Sequence, residues 1–455
     1  MDSNLVKARS SVVWILAVVV AFSAVWWIEK ESGRELIART APAVPPAAAA
    51  PAASPATAAV VLTPSPDLPA DPAPRALSAQ ELAWARTAWR YFENNTDPAT
   101  GLVASVAGFP ATTLWDTGST LMALLSAHEL GLIDQATLDA RLGLALASLG
   151  RLPLYGQALP NKSYDIRSLA MTDYGNAPSP GGIGWSAIDI GRLLVPLNVI
   201  AWQQPRHTEA ARRVLARWNT LPLAAGGQLY GMSVAEGGKA HWLQEGRLGY
   251  EQYAARTLAL MGLDVDLAAS YRQQMALLSL EGIDVPVDLR DPQRFGAQNF
   301  LVSEPFILTG LEFGWDRHSR ELAWRVFRAQ EERWRRSGIL TAVTEDHVDQ
   351  PPYFVYNALF SGGRTWATVT EGGADAHALR SLSVKAAFGW HALYRNDYSN
   401  RLLQGVAELH DPARGWYAGR YEEGAKPNQA LSANTNAVVL ESLAFITRGP
   451  ALRYR

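Results

Sequence analysis

The chain of 455 residues contains no cysteine. Disulfides, thiolate nucleophiles, zinc knuckles and iron–sulfur clusters are therefore excluded. Net charge is also nearly absent: 41 Lys and Arg stand against 43 Asp and Glu, a formal −2. Nothing global favours nucleic acid or an anionic surface as partner. The eight histidines are scattered, with no pair at helical metal-binding spacing, so neither a metal nor another cofactor is expected. No G-x-S-x-G nucleophile motif occurs. Residues 178–185 (PSPGGIGW) place glycines before a helical segment but lack the lysine and spacing of a phosphate loop.

What is present begins with an apolar run. Residues 12–28 (VVWILAVVVAFSAVWWI) carry no charge and lie near the lower length limit for crossing a bilayer. Lys7 and Arg9 precede the run, and Trp26 and Trp27 close it. That pattern predicts a single-pass signal-anchor in the bacterial inner membrane, with the N-terminus cytoplasmic and the remainder periplasmic. A cleaved signal peptide is the rival reading, with Ala21 and Ser23 as small residues before a cut. The bulky Val25, Trp26 and Trp27 that follow speak for retention. Residues 41–75 are dominated by Pro and Ala, a composition that predicts a semi-extended spacer. The domain plan is therefore 1–11 cytoplasmic, 12–28 membrane, 29–76 linker and 77–455 one large globular domain. With 48% hydrophobic and 18% charged residues, the chain has ample material for a core.

From residue 77 onward two kinds of helical segment alternate. One kind is amphipathic: in 206–219, Ala210, Val214 and Trp218 fall four apart, and Glu209, Arg212, Arg213 and Arg217 cover the other side. Segments 77–95, 135–150, 266–278, 317–337 and 397–410 behave alike. The other kind is apolar or small all round, as in 185–203, 304–314 and 434–447, and also 115–131, 245–262 and 381–394. A helix apolar on every side is buried on every side. Six outer–inner pairs predict an all-α (α/α)6 toroid, an inner ring of helices inside an outer ring.

The inner-to-outer connections are short, and the outer-to-inner ones are long: 96–114, 151–184, 220–244, 279–303, 338–380 and 411–433. All six long connections must then emerge at one end, where every inner helix begins. Long loops gathered on one rim predict a functional cleft. They are rich in aromatics, among them Tyr174, Phe295 and Phe300, and in carboxylates, among them Glu236, Asp288 and Glu371. Aromatic faces suit the C–H faces of sugars, and carboxylates accept from hydroxyls and do acid–base work. Asp116, Glu245 and Glu304 stand where inner helices start. Asp189, Glu251, Glu312 and Glu441 lie inside inner helices, where a carboxylate needs a partner or a task. Arg192 and Arg247 are the available partners.

The motifs WDTGS, LPNKSYDIRSL, EGRLGYEQYAA, SEPFILTGLEFG, TAVTEDHVDQPPYFVYN, SVKAAFGW, GWYAGRYEE and NTNAVVLESL fall within residues 77–447. Together they resemble an uncharacterised bacterial envelope family, a domain of unknown function similar to glucoamylase-like domains and endo-β-1,2-glucanases. The resemblance implies the toroid, a glycan substrate and acidic catalytic residues of an inverting hydrolase. It assigns no residue its role.

The residues themselves suggest Glu304 as general acid, with Glu245 next, and Asp346 as base, with Glu345 next. Expected sugar contacts are Trp115, Asp116, Tyr164, Arg167, Trp185, Asp189, Glu251, Tyr253, Tyr356, Trp390, Trp416 and Asn434. Two other classes stay open. One is a non-catalytic glycan-binding or polysaccharide-export component. The other is a polysaccharide lyase, for which Arg167, Lys162 and His347 would supply cation and base.

Overall fold

In a computed structural model, residues 62–235, 238–271, 274–292 and 298–452 are described. The expected membrane segment 12–28 lies outside them, as do most of the spacer, Glu236 and Phe295. Among the described residues no helix is long and apolar enough to cross a membrane.

Among the described residues twelve helices follow the predicted alternation, but the outer segment expected over 266–278 is helical only at Asp266–Ala269 and turns into the strand Met275–Leu280. The outer ones are α1 (Ala79–Asn95), α3 (Gln135–Leu149), α5 (Thr208–Ala216), α7 (Asp266–Ala269), α9 (Arg317–Ser337) and α11 (Asp397–Val406). The inner ones are α2 (Leu114–Glu129), α4 (Ala187–Gln203), α6 (Tyr250–Leu260), α8 (Glu304–Leu308), α10 (Val384–Tyr394) and α12 (Ala433–Arg448). A π-helical turn, Thr309–Phe313, continues α8. Around the ring α2 packs on α4, α4 on α6, α6 on α8, α8 on α10, α10 on α12, and α12 returns to α2. Outer helices pack on the inner ones: α1 on α12, α9 on α8, α11 on α10.

Burial follows the two sequence patterns. Every residue of α10 is buried, whereas in α5 only Ala211 and Val214 are. The inner helices pack closely. At Gly191 of α4, a Cβ would lie 2.6 Å from the Cβ of Ala254 on α6, so a larger residue there would force the two apart.

Side-chain caps set where several inner helices begin. Thr113, Ser186, Ser383 and Ser432 accept from the backbone N–H three residues on. All these starts face the rim that carries the long connections.

Those connections correct the all-α expectation. They fold into two- and three-stranded antiparallel sheets, such as Ala111–Thr113 with Ser163–Asp165 and Met171–Thr172. The strands are short, the longest being Gln228–Val234. Runs of two or three residues leave too little alternation for a period-2 pattern to stand out.

A second correction concerns the spacer. Residues 62–76 lie against the outer wall instead of standing free. Ser65 donates from its backbone and hydroxyl to Glu321, Trp324 Nε1 donates to Asp67 at 3.1 Å, and Arg395 donates to the Ala73 carbonyl at 2.7 Å. Leu62 and Leu68 pack on the core. The folded unit thus begins before residue 77.

Candidate active site

The centre of the long-loop rim is built on Lys385, in the first turn of α10. Its side chain is 4% exposed and meets three carboxylates. The ammonium donates to Glu304 Oε2 and lies 3.8 Å from Glu345 Oε1 and 3.9 Å from Asp346 Oδ1. One cation therefore gathers acids from α8 and from the strand Glu345–His347. A lysine so deeply buried needs such partners to stay charged, and their field raises its pKa.

Glu304 is 1% exposed. Its Oε1 accepts from Asn434 Nδ2 at 2.8 Å and Trp115 Nε1 at 3.2 Å, and its Oε2 from Lys385. Both oxygens thus accept from N–H donors. The sequence suggests the general acid here, and the structure adds that Glu304 accepts from donors on three other inner helices.

Glu345 is held by Tyr250 Oη at one oxygen and by Thr344 Oγ1, at 2.6 Å, at the other. Asp346 accepts from Ser383 Oγ at 3.2 Å through Oδ1, while its buried Oδ2 has no hydrogen-bond partner. Burial pushes the Asp346 carboxyl well above its ordinary range, against the pull of Lys385. Burial likewise raises Glu345.

A second acidic group stands at the start of α4. Glu245 accepts from the Ala187 backbone N–H and so sits on the positive end of that helix. Asp189, one turn in, is partly exposed. Burial first, then the charges of Glu245 and Asp116, push its pKa up to about 7, and Lys162 opposes them. Asp189 is thus a carboxyl group that keeps its proton near neutrality. Asp116 accepts from the hydroxyl of its own cap, Thr113, at 2.8 Å.

Tyr356 is within electrostatic range of Glu371, Glu345, Asp189 and Glu304. Its ring stacks on Phe300, with centroids 3.7 Å apart and planes 3° from parallel. Tyr174, 43% exposed, has its hydroxyl in range of Asp189, Glu371 and Glu245. Trp115 is half-buried, edge-on to Tyr250 at 5.4 Å.

Several expected sugar contacts are corrected by burial. Trp390 and Trp416 are fully buried. Trp390 lies among Phe327 and Tyr394 and donates to Ser303 Oγ at 3.2 Å. Trp416 packs on Phe388 and Trp84. Trp185 is 5% exposed, flanked by Tyr155 and Trp242. Tyr164 is fully buried and donates to the Pro153 carbonyl at 2.8 Å. Glu251 pairs with Arg290 at 2.7 Å, not with Arg247. These rings and this acid have no free face for a sugar. Arg167 is exposed in the turn capped by Asp165, and among the described residues none of the cleft carboxylates is its partner.

Tyr253 belongs to a column beneath the site. Arg192, fully buried, donates to Tyr253 Oη at 3.0 Å, Ser119 Oγ at 3.3 Å and Glu441 Oε1 at 2.8 Å, and also to Glu312. The π-helical turn carries Glu312 into this group. Ser119 donates on to Asn434 at 3.0 Å, which donates to Glu304. The expected pairing of Glu312 and Glu441 with Arg192 is what the structure contains. Removing Arg192 would strand two buried carboxylates, at a cost of about 3–5 kcal/mol.

The sequence reading missed Lys385 and Tyr250 as site residues. The signal for Lys385 was available: it is the one charge in the apolar segment 381–394 before Arg395, and a buried lysine must pair.

A profile of a protein family of unknown function, DUF3131, matches residues 83–449. No curated protein matches the chain in sequence. Among solved structures, an endo-β-1,2-glucanase from Chitinophaga pinensis, in complex with sophorotriose and glucose, is similar at TM-score 0.59. Identity is 13%, over 82% of this chain and 94% of that one. A candidate glucoamylase from Bacteroides fragilis has TM-score 0.58 at 13% identity, over 84% of this chain and 94% of that one. An endo-β-1,2-glucanase from Talaromyces funiculosus, in complex with sophorose, has TM-score 0.57 at 10% identity, over 81% and 84%. At such identities the likeness establishes the toroidal fold.

Proposed function

The chain belongs to the DUF3131 family, and from that premise we propose that its toroid is a glycoside hydrolase acting on a glucan or an extracellular polysaccharide. The observation that carries this reading is the gathering of acids on the long-loop rim, Glu304, Glu345 and Asp346 around Lys385 and Asp189 near Glu245 and Asp116. Asp189 holds a proton up to about pH 7, and Asp346 keeps a buried oxygen without a partner. The resemblance in fold to glucanases that bind gluco-oligosaccharides supports it.

In the proposed chemistry Asp189 protonates the leaving glycosidic oxygen. Asp346, in the ionised form that the neighbouring Lys385 favours, takes a proton from water as that water attacks the anomeric carbon. The proton given by Asp189 leaves with the released sugar hydroxyl, and the bond between anomeric carbon and glycosidic oxygen breaks. Direct attack by water inverts the anomeric centre, which requires the two carboxyl groups to stand about 6.5–9.5 Å apart. Tyr356 and Trp115 offer ring surface to the sugars. The proposed site of action is the periplasm, on the strength of residues 12–28 and their flanks.

The test is incubation of the full-length protein with α- and β-glucans and exopolysaccharides, scored for new reducing ends, with the anomer of the fresh product read by NMR. Release of inverted product is expected. Asp189→Asn should lower kcat by about 10²–10⁴-fold. Full activity in that variant would remove Asp189 from the role. The near-complete burial of Asp346 and Glu304 favours one second reading, a glycan binder without turnover. Tight binding with no reducing ends from any polymer would establish that instead.

A further inference from the structure

The charges around the cleft are unequal, and the imbalance bears on substrate class. Asp116, Asp189 and Glu245 influence one another on one side. Glu304, Glu345 and Asp346 crowd the other. Two of the cations nearby are already engaged. Lys385 serves three carboxylates, and Arg192 is taken up by Glu312 and Glu441. Lys162 faces both Asp189 and Glu245. Burial lowers the pKa of His347, so its imidazole is neutral at physiological pH.

The free valence in the site has the same sign. Asp346 Oδ2 is buried without a hydrogen-bond partner, and Lys385, 3.9 Å from Oδ1, favours the ionised form in which it accepts. A sugar hydroxyl or ammonium supplies the missing hydrogen, whereas a uronate carboxylate has none to give.

We infer that the cleft takes a glycan free of acidic sugars, neutral or amine-bearing, and rejects uronate chains. The inference rests on the glycan reading above and gives it a substrate class. It also removes the ground for a lyase. Such an enzyme must neutralise a uronate, and Arg167 is exposed with none of the site's carboxylates as its partner among the described residues, while Lys385 is shared among three carboxylates.

The experiment is calorimetric binding of the full-length protein to three oligosaccharides of one linkage and length. One is neutral, one is oxidised to the acid at C6, and one carries an amine at C2. At low salt the acidic chain should bind at least about tenfold more weakly than the neutral one, and the amine at least as tightly. Adding about 0.5 M salt should narrow the gap between acid and neutral. Glu371→Gln, at the exposed rim, should narrow it further without the folding risk of the buried acids. An acidic chain that binds as tightly as the neutral one overturns the inference and leaves the glycan reading standing. Failure of all three chains to bind, with linkage varied across the panel, overturns both.

Discussion

Asp189 shows how one residue's surroundings set its chemistry. An ordinary aspartate is ionised at pH 5; here burial and two neighbouring carboxylates hold the proton on up to about pH 7. The consequence for stability has a definite sign. The folded state favours the protonated form more than the unfolded chain does. Its contribution is complete at low pH and is lost as pH rises from about 4 toward about 7. Asp189→Asn removes that dependence. In thermal melts across this window, the wild-type Tm should therefore decline relative to the variant. Parallel curves for the two proteins would show that the proton is not held. The same titration should give kcat a falling limb above about pH 7. None of this was visible in the spacing of residues, because Glu245 and Asp116 reach Asp189 from other segments of the chain. The surroundings of Glu304, which the sequence suggested as the acid, were hidden for a related reason. Asn434, Trp115 and Lys385, which occupy its oxygens, come from three other inner helices.

At the scale of elements, the strap of residues 62–76 is the least expected piece. Its Pro and Ala content disguised two leucines and two aspartates with partners about 250 positions away, such as Trp324 for Asp67. At the strap's end Arg75 grips Glu81, at 2.7 Å, and holds its carboxyl down to about 2. Beginning the domain at residue 77 should cost it about 2–4 kcal/mol, from several part-buried hydrogen bonds at about 1 kcal/mol each. Urea unfolding of domains starting at 62 and at 77 measures the difference. Coincident midpoints would mean the strap only rests on α9. The inner and outer helices, by contrast, were legible. Their periodicities are local properties of the chain, and each maps directly to a burial pattern. The short strands were not legible, because each is defined by a partner across a long loop.

For the whole molecule, closure of the ring is the decisive step. The last helix, α12, packs on the first inner helix, α2, joining segments more than 300 residues apart. A chain ending at residue 432 would expose apolar faces of α2, α10 and α1 together. It should lose the cooperative thermal transition and aggregate, as read by circular dichroism and size exclusion. A soluble monomer with an intact transition would show that five pairs suffice. What the sequence alone determined was the number of helices, their alternation and the rim where the long connections gather, since hydrophobic period and loop length are written along the chain. Which acids face the cleft, which aromatics vanish into the core, and which cation gathers the carboxylates was decided only when the ring closed. Burial and electrostatic fields are properties of three-dimensional neighbourhoods, and those neighbours come from every part of the sequence.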